Sequence, residues 1–139
     1  VDTIDIVESH GTGGKGFVYA EKTIVKDDWF FPCHFHQDPV MPGSLGVEAM
    51  MQCLQVFTLQ QDLGSHLKNP RFDQVVDKIS WKYRGQIIPA NKMMTLDLHI
   101  TDVIKTEDSV QVVATGNLYK DGLRIYEVAD LTLRLVEAE

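Results

Sequence analysis

The residues best suited to do chemistry lie between Phe30 and Glu48. There the chain reads Phe30-Phe31-Pro32-Cys33-His34-Phe35-His36-Gln37-Asp38-Pro39-Val40-Met41-Pro42-Gly43-Ser44 before entering an apolar helical pattern that carries Glu48. Histidine, at His34 or His36, is a fitting base, because an ordinary pKa of about 6.5 leaves much of it neutral at pH 7. Gly43 and Ser44 open the helix, where the first backbone N–H groups have no internal partner and carry the positive end of the dipole. Glycine lets a ligand come close to that backbone, so a carbonyl placed there is polarised as negative charge builds up on it. Glu48 is the acid, and an apolar setting favours its protonated form. A base to take the proton alpha to a carbonyl, an acid to expel a beta hydroxyl and a backbone donor for the carbonyl suit water elimination or addition on an acyl thioester.

Rival readings of the same residues carry less. Cys33 adjoins His34, but neighbours on an extended chain point to opposite faces, which disfavours a nucleophilic Cys–His pair. His34 and His36 would share a face on a strand, as in some metal sites. The third ligand would have to come from His10, His66, His99 or a carboxylate, and their spacing points to none. Neither a metal nor a cofactor is expected.

These groups must be positioned by the helix over Leu45–Gln61. Its apolar residues cover most of the circumference, the mark of a buried helix. The polar exceptions Glu48, Gln52 and Gln55 fall at i, i+4 and i+7 and form one stripe. In the plainest structural terms that stripe faces solvent or a hydrogen-bonding neighbour. Gly64 is expected to cap the helix in a left-handed conformation, and residues 66–72 read as a loop. Strand-like segments occupy Ile4–Val7, Phe17–Val25, Val75–Tyr83, Lys92–Ile104, Ser109–Tyr119 and Leu123–Val136. The glycine-rich run Gly11–Gly16 lacks the GK[ST] ending of a phosphate loop and precedes a strand, so it reads as a hairpin connection. Asp27 and Asp28 suggest a capped turn, Ile88–Asn91 and Lys105–Asp108 further turns, and Asp121-Gly122 a type I′ hairpin. With no alternation of strands and helices, the expected architecture is α+β: a curved antiparallel sheet wrapped around one long central helix.

Composition narrows the field further. A chain of 139 residues, 24% charged and 44% apolar, is expected to form one domain, residues 1–139, of ordinary globular type. A net charge of −7 opposes nucleic-acid binding, which needs a basic face. The central helix falls short of about 20 uninterrupted apolar residues, so no membrane span is expected, and no signal peptide is recognisable. Cys33 and Cys53 form no CxxC motif and read as free thiols of a cytoplasmic protein. The start at Val1 suggests a domain cut from something larger.

The pattern Trp29-Phe30-Phe31-x-Cys33-His34-Phe35-x-x-Asp38-Pro39-Val40-Met41-Pro42-Gly43-x-Leu45-Gly46-x-Glu48-Ala49-Met50-x-Gln52 resembles the signature of the hotdog-fold 3-hydroxyacyl-(acyl-carrier-protein) dehydratases. It is closest to the 3-hydroxydecanoyl, dehydratase/isomerase type. Gly85-Gln86-Ile87-Ile88-Pro89 and Asp121-Gly122-Leu123-Arg124-Ile125-Tyr126 extend the resemblance over nearly the whole chain. It implies that His34 is the catalytic histidine, Glu48 its acidic partner, Gly43 the backbone donor to the thioester oxygen, and Gln52 a helix glutamine near the acid. His36 matches no functional position. Two departures stand out: the 3-hydroxydecanoyl type usually has Asp at Glu48, and Ser44 stands where Cys is frequent. Glu48 resembles sister dehydratases that do not isomerise. This mixed signature resembles dehydratase domains of polyunsaturated fatty acid and polyketide synthases. The resemblance implies an acyl-phosphopantetheine substrate on acyl carrier protein, and a second hotdog, as homodimer or double hotdog, with His34 and Glu48 meeting across the pair. A hotdog thioesterase and a non-catalytic acyl-binding hotdog are the competing readings.

Overall fold

The computed structural model describes residues 2–7, 15–33, 41, 43–73 and 79–138. The strands are β1 (Thr3–Val7), β2 (Phe17–Thr23), β3 (Pro70–Asp73), β4 (Ser80–Tyr83), β5 (Met93–Lys105), β6 (Ser109–Lys120) and β7 (Leu123–Glu137). The helices are α1 (Phe30–Cys33) and α2 (Gly43–Gln60). Every strand pairing is antiparallel. The order is β1-β2-β5-β6-β7-β3, with β4 also pairing with β7. β3 takes the C-terminal end of β7 (Pro70 opposite Glu137) and β4 its N-terminal half (Tyr83 opposite Tyr126). The sheet curls over α2, as expected of a hotdog.

Alternation along the long strands builds the core. Met94, Leu96, Leu98 and Ile100 of β5 and Val110, Val112, Ala114 and Leu118 of β6 are buried, each second residue facing the helix. On β7 the buried set switches from Tyr126 and Val128 to Leu131, Leu133 and Leu135. The switch is a bulge: Ala114 lies opposite Leu131 but Gly116 opposite Val128. Asp130 takes a left-handed φ of 58° there. One extra residue reverses the side of every side chain that follows.

The helix answers with Met50, Cys53, Leu54 and Phe57, all buried, at spacings that make one face. A fully buried side chain of this size contributes ~1.5–3 kcal/mol. Two glycines let helix and sheet approach. A Cβ on Gly116 would strike Met50 Cε, and one on Gly46 would strike Cε2 of Tyr126. Opposite this face, Glu48 and Gln52 are exposed, as are Val56 at 37% and Leu59 at 60%. The expectation of a helix buried all round is corrected: a half-barrel covers one side only, and apolar residues on the other side remain accessible.

Two local expectations are also corrected. The left-handed residue ending the helix is Asp62, φ 53°, not Gly64; Asp tolerates that region because its short side chain bonds locally. Gly64 serves packing instead, since a Cβ there would collide with Leu135 Cδ2. The loop expected through Phe72 contains β3, which begins at Pro70, a strand-initial place where proline costs no ladder bond. Of the strand expected over Val75–Tyr83, β4 supplies Ser80–Tyr83, and residues 74–78 lie outside the described set. The Gly11–Gly14 part of the first hairpin also lies outside it.

The turns read from sequence are present. Asp121 and Gly122 have φ of 46° and 86°, the two positive values a type I′ turn demands. The Asp121 carboxylate also accepts from Met93 N at 2.9 Å, Lys92 N at 3.1 Å and Asn91 Nδ2 at 3.1 Å. It thereby ties the start of β5 to the β6–β7 hairpin. Asn91 Oδ1 accepts from Ile88 N at 2.8 Å, and Asp28 Oδ2 from Val25 N at 3.0 Å. Among the described residues, no helix is long and apolar enough to cross a membrane.

Candidate active site

The first turn of α2 is Gly43-Ser44-Leu45-Gly46, with no acidic side chain, so the positive end of the helix dipole is left uncompensated by its own turn. Its position is fixed through Met41, two residues ahead of the helix. Met41, buried, donates from its backbone N to Ile87 O at 2.7 Å. Ile87, also buried, follows β4 in a segment held by Arg84 N donating to Ile125 O at 2.8 Å and Lys120 Nζ to Gln86 O at 2.7 Å. The start of the helix is thus locked against the segment that leaves β4.

Ser44, Glu48 and Gln52 fall at i, i+4 and i+8 on α2 and are all exposed. They form one stripe descending from the first turn. Gln52 Nε2 donates to Glu48 Oε1 at 3.2 Å. Burial of Glu48, expected from the apolar helix, is not found; the helix turns the carboxylate away from the sheet. Gln55, the third member expected on this stripe, sits at its flank and is partly buried.

Beside the stripe runs a groove of about 350 Å3, lined by Glu48, Met51 and Gln55 of α2, Phe72 and Asp73 of β3, and Thr132 and Leu133 of β7. That volume lies at the lower end of small-molecule pockets. Thr132 Oγ1 donates to Asp130 O at 3.0 Å, so the bulge at Asp130 shapes one wall. Apart from Glu48 and Gln55, sequence reasoning found none of these residues. Phe72 meets β7 through the β3–β7 register, in which it lies opposite Leu135, and the sequence carries no local signal of that pairing.

The structure brings Glu48 and Gln52 together and places Gly43 and Ser44 at the head of the same helix. His34 and His36 lie outside the described residues, as does Pro42. Of the histidines considered as third metal ligands, His10 lies outside the described residues, while His66 and His99 are engaged elsewhere. His66 Nε2 is 3.0 Å from Thr106 O. His99 packs edge-on against Phe17, centroids 5.1 Å apart, with Nε2 3.8 Å from Asp97 Oδ1. Cys53 is buried and free, and burial pushes its thiol up to about 11. At neutral pH it stays a protonated, inert thiol.

The family model of the FabA-like domain matches residues 1–129. The chain is 44% identical over 141 aligned residues to a polyunsaturated fatty acid synthase polypeptide of Thraustochytrium sp.. All of this chain is covered, but it spans only 9% of that protein's length. Among solved structures, a 1,4-dihydroxy-2-naphthoyl-CoA thioesterase from Synechocystis superposes with a TM-score of 0.54 at 9% identity, covering 87% of this chain and 81% of the other. A hypothetical protein from Aquifex aeolicus does so at 0.52 and 5% identity, covering 87% and 99%. At these identities the structural likeness speaks for the hotdog fold alone.

Proposed function

The chain belongs to the FabA-like domain family, and on that premise we propose that it removes water from a (3R)-3-hydroxyacyl thioester carried on acyl carrier protein, giving the trans-2-enoyl thioester during fatty acid synthesis. The observation that carries this reading is the Glu48 carboxylate, bonded by Gln52, lining a groove one turn below the start of α2. Similarity to a polyunsaturated fatty acid synthase supports the pathway class and the phosphopantetheine-borne substrate.

In this mechanism the N–H of Gly43 takes the thioester oxygen and stabilises the enolate as it forms. His34 removes the alpha proton. Glu48 gives a proton to the departing beta hydroxyl, or orients it while His34 makes both transfers. Gln52 holds the Glu48 oxygen that is not engaged with substrate, and Ser44, one turn above Glu48, contacts the substrate near the thioester. No cofactor takes part. Residues 1–139 act as a single hotdog domain that completes its site with a second hotdog, in a homodimer or a double hotdog. The acid-bearing stripe is exposed and continues into exposed Val56 and Leu59, which supports such a pairing.

His34→Ala and Glu48→Gln should each lower turnover of (3R)-3-hydroxyacyl thioesters by about 10²–10⁴-fold while the thermal unfolding midpoint stays within a few degrees. Retained activity in either variant overturns the assignment. Following enoyl absorbance together with free-thiol release separates dehydration from a hotdog thioesterase, since only the second liberates thiol. Acyl-thioester binding without exchange of the alpha proton would mark a non-catalytic acyl-binding domain.

A further inference from the structure

Beside the first turn of α2 stands an aromatic group that the mechanism does not use. Trp81 and Tyr83 are alternate residues of β4 and face the same side. Tyr83 lies opposite Tyr126 and Trp81 opposite Val128 in the register, and both opposing residues are buried. The shared side is therefore the helix side. Tyr126 is the link to the helix, because its Oη lies 3.1 Å from the place a Cβ on Gly46 would occupy. Ring centroids are 5.0 Å apart for Tyr83 and Tyr126, 5.7 Å for Trp81 and Tyr126, and 6.0 Å for Trp81 and Tyr83. Against this packing, Trp81 and Tyr83 are each 43% exposed. The result is a shelf whose back is buried on α2 and whose front is open.

We propose that this shelf receives the pantetheine arm of the substrate, with the Tyr83 hydroxyl donating to the amide carbonyl nearest the sulfur and Trp81 packing on the arm. The proposal rests on the acyl-thioester reading given above. The Tyr83 ring packs on the buried Tyr126 ring and brings the two phenols into one group. Burial raises both phenols, so each hydroxyl keeps its proton at neutral pH. A tyrosine hydroxyl has one proton to give and two lone pairs. Tyr83 is 43% exposed, so its hydroxyl can meet an outside acceptor while its ring stays packed on Tyr126.

The geometry also separates the two ends of the substrate. From Glu48 the groove runs along α2 past Met51 to Gln55, with Phe72 and Leu133 as apolar walls, and it suits the acyl chain. The shelf adjoins Gly46 at the head of the helix, is open to solvent and offers a hydroxyl. It suits the polar arm, whose first amide is separated from sulfur by two methylenes. The amide is the acceptor rather than the thioester carbonyl, which the Gly43 N–H already takes in the proposed mechanism.

The test compares one 3-hydroxyacyl group carried as a pantetheine thioester and as an S-ethyl thioester, which has no amide. Tyr83→Phe keeps the ring and its packing. It should lower kcat/KM about tenfold for the pantetheine thioester, the effect of losing one hydrogen bond, and less than twofold for the S-ethyl thioester. No loss, or an equal loss on both, overturns the proposal. A second measurement needs no turnover. In a Trp29→Phe background, S-ethyl pantetheine should alter the fluorescence of Trp81 on binding, and Tyr83→Phe should weaken that binding. If binding behaves so while the wild-type chain fails to dehydrate, the shelf stands and the dehydratase reading falls. If the chain dehydrates and Trp81 is unaffected by the arm, the shelf falls and the dehydratase reading stands.

Discussion

Gln52 donates to Glu48 across a single turn of α2, Nε2 to Oε1 at 3.2 Å, on the side of the helix that the sheet leaves uncovered. Such an i, i+4 pair adds only a few tenths of a kcal/mol to helix stability. The pair nevertheless holds one oxygen of a carboxylate that lines the neighbouring groove. Replacing Gln52 with Leu should therefore leave the unfolding midpoint nearly unchanged and reduce kcat on a 3-hydroxyacyl thioester about tenfold, as expected for one lost hydrogen bond to a charged group. Steady-state kinetics beside thermal unfolding checks this. A loss of stability with unchanged kcat would make the pair structural.

Mixing experiments address the second hotdog. If His34 of one copy works with Glu48 of another, co-expressing His34→Ala with Glu48→Gln places both intact groups in one of the two sites of a mixed pair. Activity should return to a substantial fraction of wild type although each variant alone is inactive. No recovery in a verified mixed pair would place both groups of a site in one chain.

Gly46→Ala tests the contact between helix and sheet. The added Cβ would strike the Tyr126 ring, with Cζ at 3.0 Å and a closer approach to Cε2. Overpacking of this kind costs ~1–3 kcal/mol, more than the roughly 0.5–1 kcal/mol that Ala gains over Gly in a helix. Urea denaturation should show a net loss. Because Tyr126 holds Tyr83 and Trp81, their fluorescence should change as well.

Acid should unfold the protein partly through two carboxylates. Asp121 is held below its ordinary 3.8, first by the Met93 backbone N–H, and Glu137 below its ordinary 4.5 by those of Asn69 and Lys68. As the pH falls, the unfolded chain takes up these protons first and is favoured. Stability from these groups is complete above about pH 5 and is lost as pH drops through the folded values. Denaturant midpoints should be flat from about pH 5 to 8 and fall below that, with part of the fall absent in Asp121→Asn and Glu137→Gln.

Much of the fold was legible because it rests on local rules. The alternation of Thr95–Ile100, the two positive-φ residues Asp121-Gly122 and the apolar run after Gly43 each specify an element from neighbours in sequence. β3 was not legible. Pro70–Asp73 is short and becomes a strand only because the end of β7 lies alongside. Gly64 looked like a cap because glycine favours positive φ, yet its role is room for Leu135.

The amino-acid order by itself determined the chemistry on offer: a histidine segment, a glycine at a helix start, and a carboxylate with a glutamine one turn away. It could not tell how much of α2 would be covered, since an apolar helix looks the same whether a sheet wraps it fully or by half. Only the tertiary structure decided that Glu48 stands exposed at a groove walled by Phe72 and Leu133, and that Tyr126 carries Tyr83 to the head of the helix. Those contacts join residues far apart in the chain. They are fixed by strand register and by the bulge at Asp130, which no local pattern encodes.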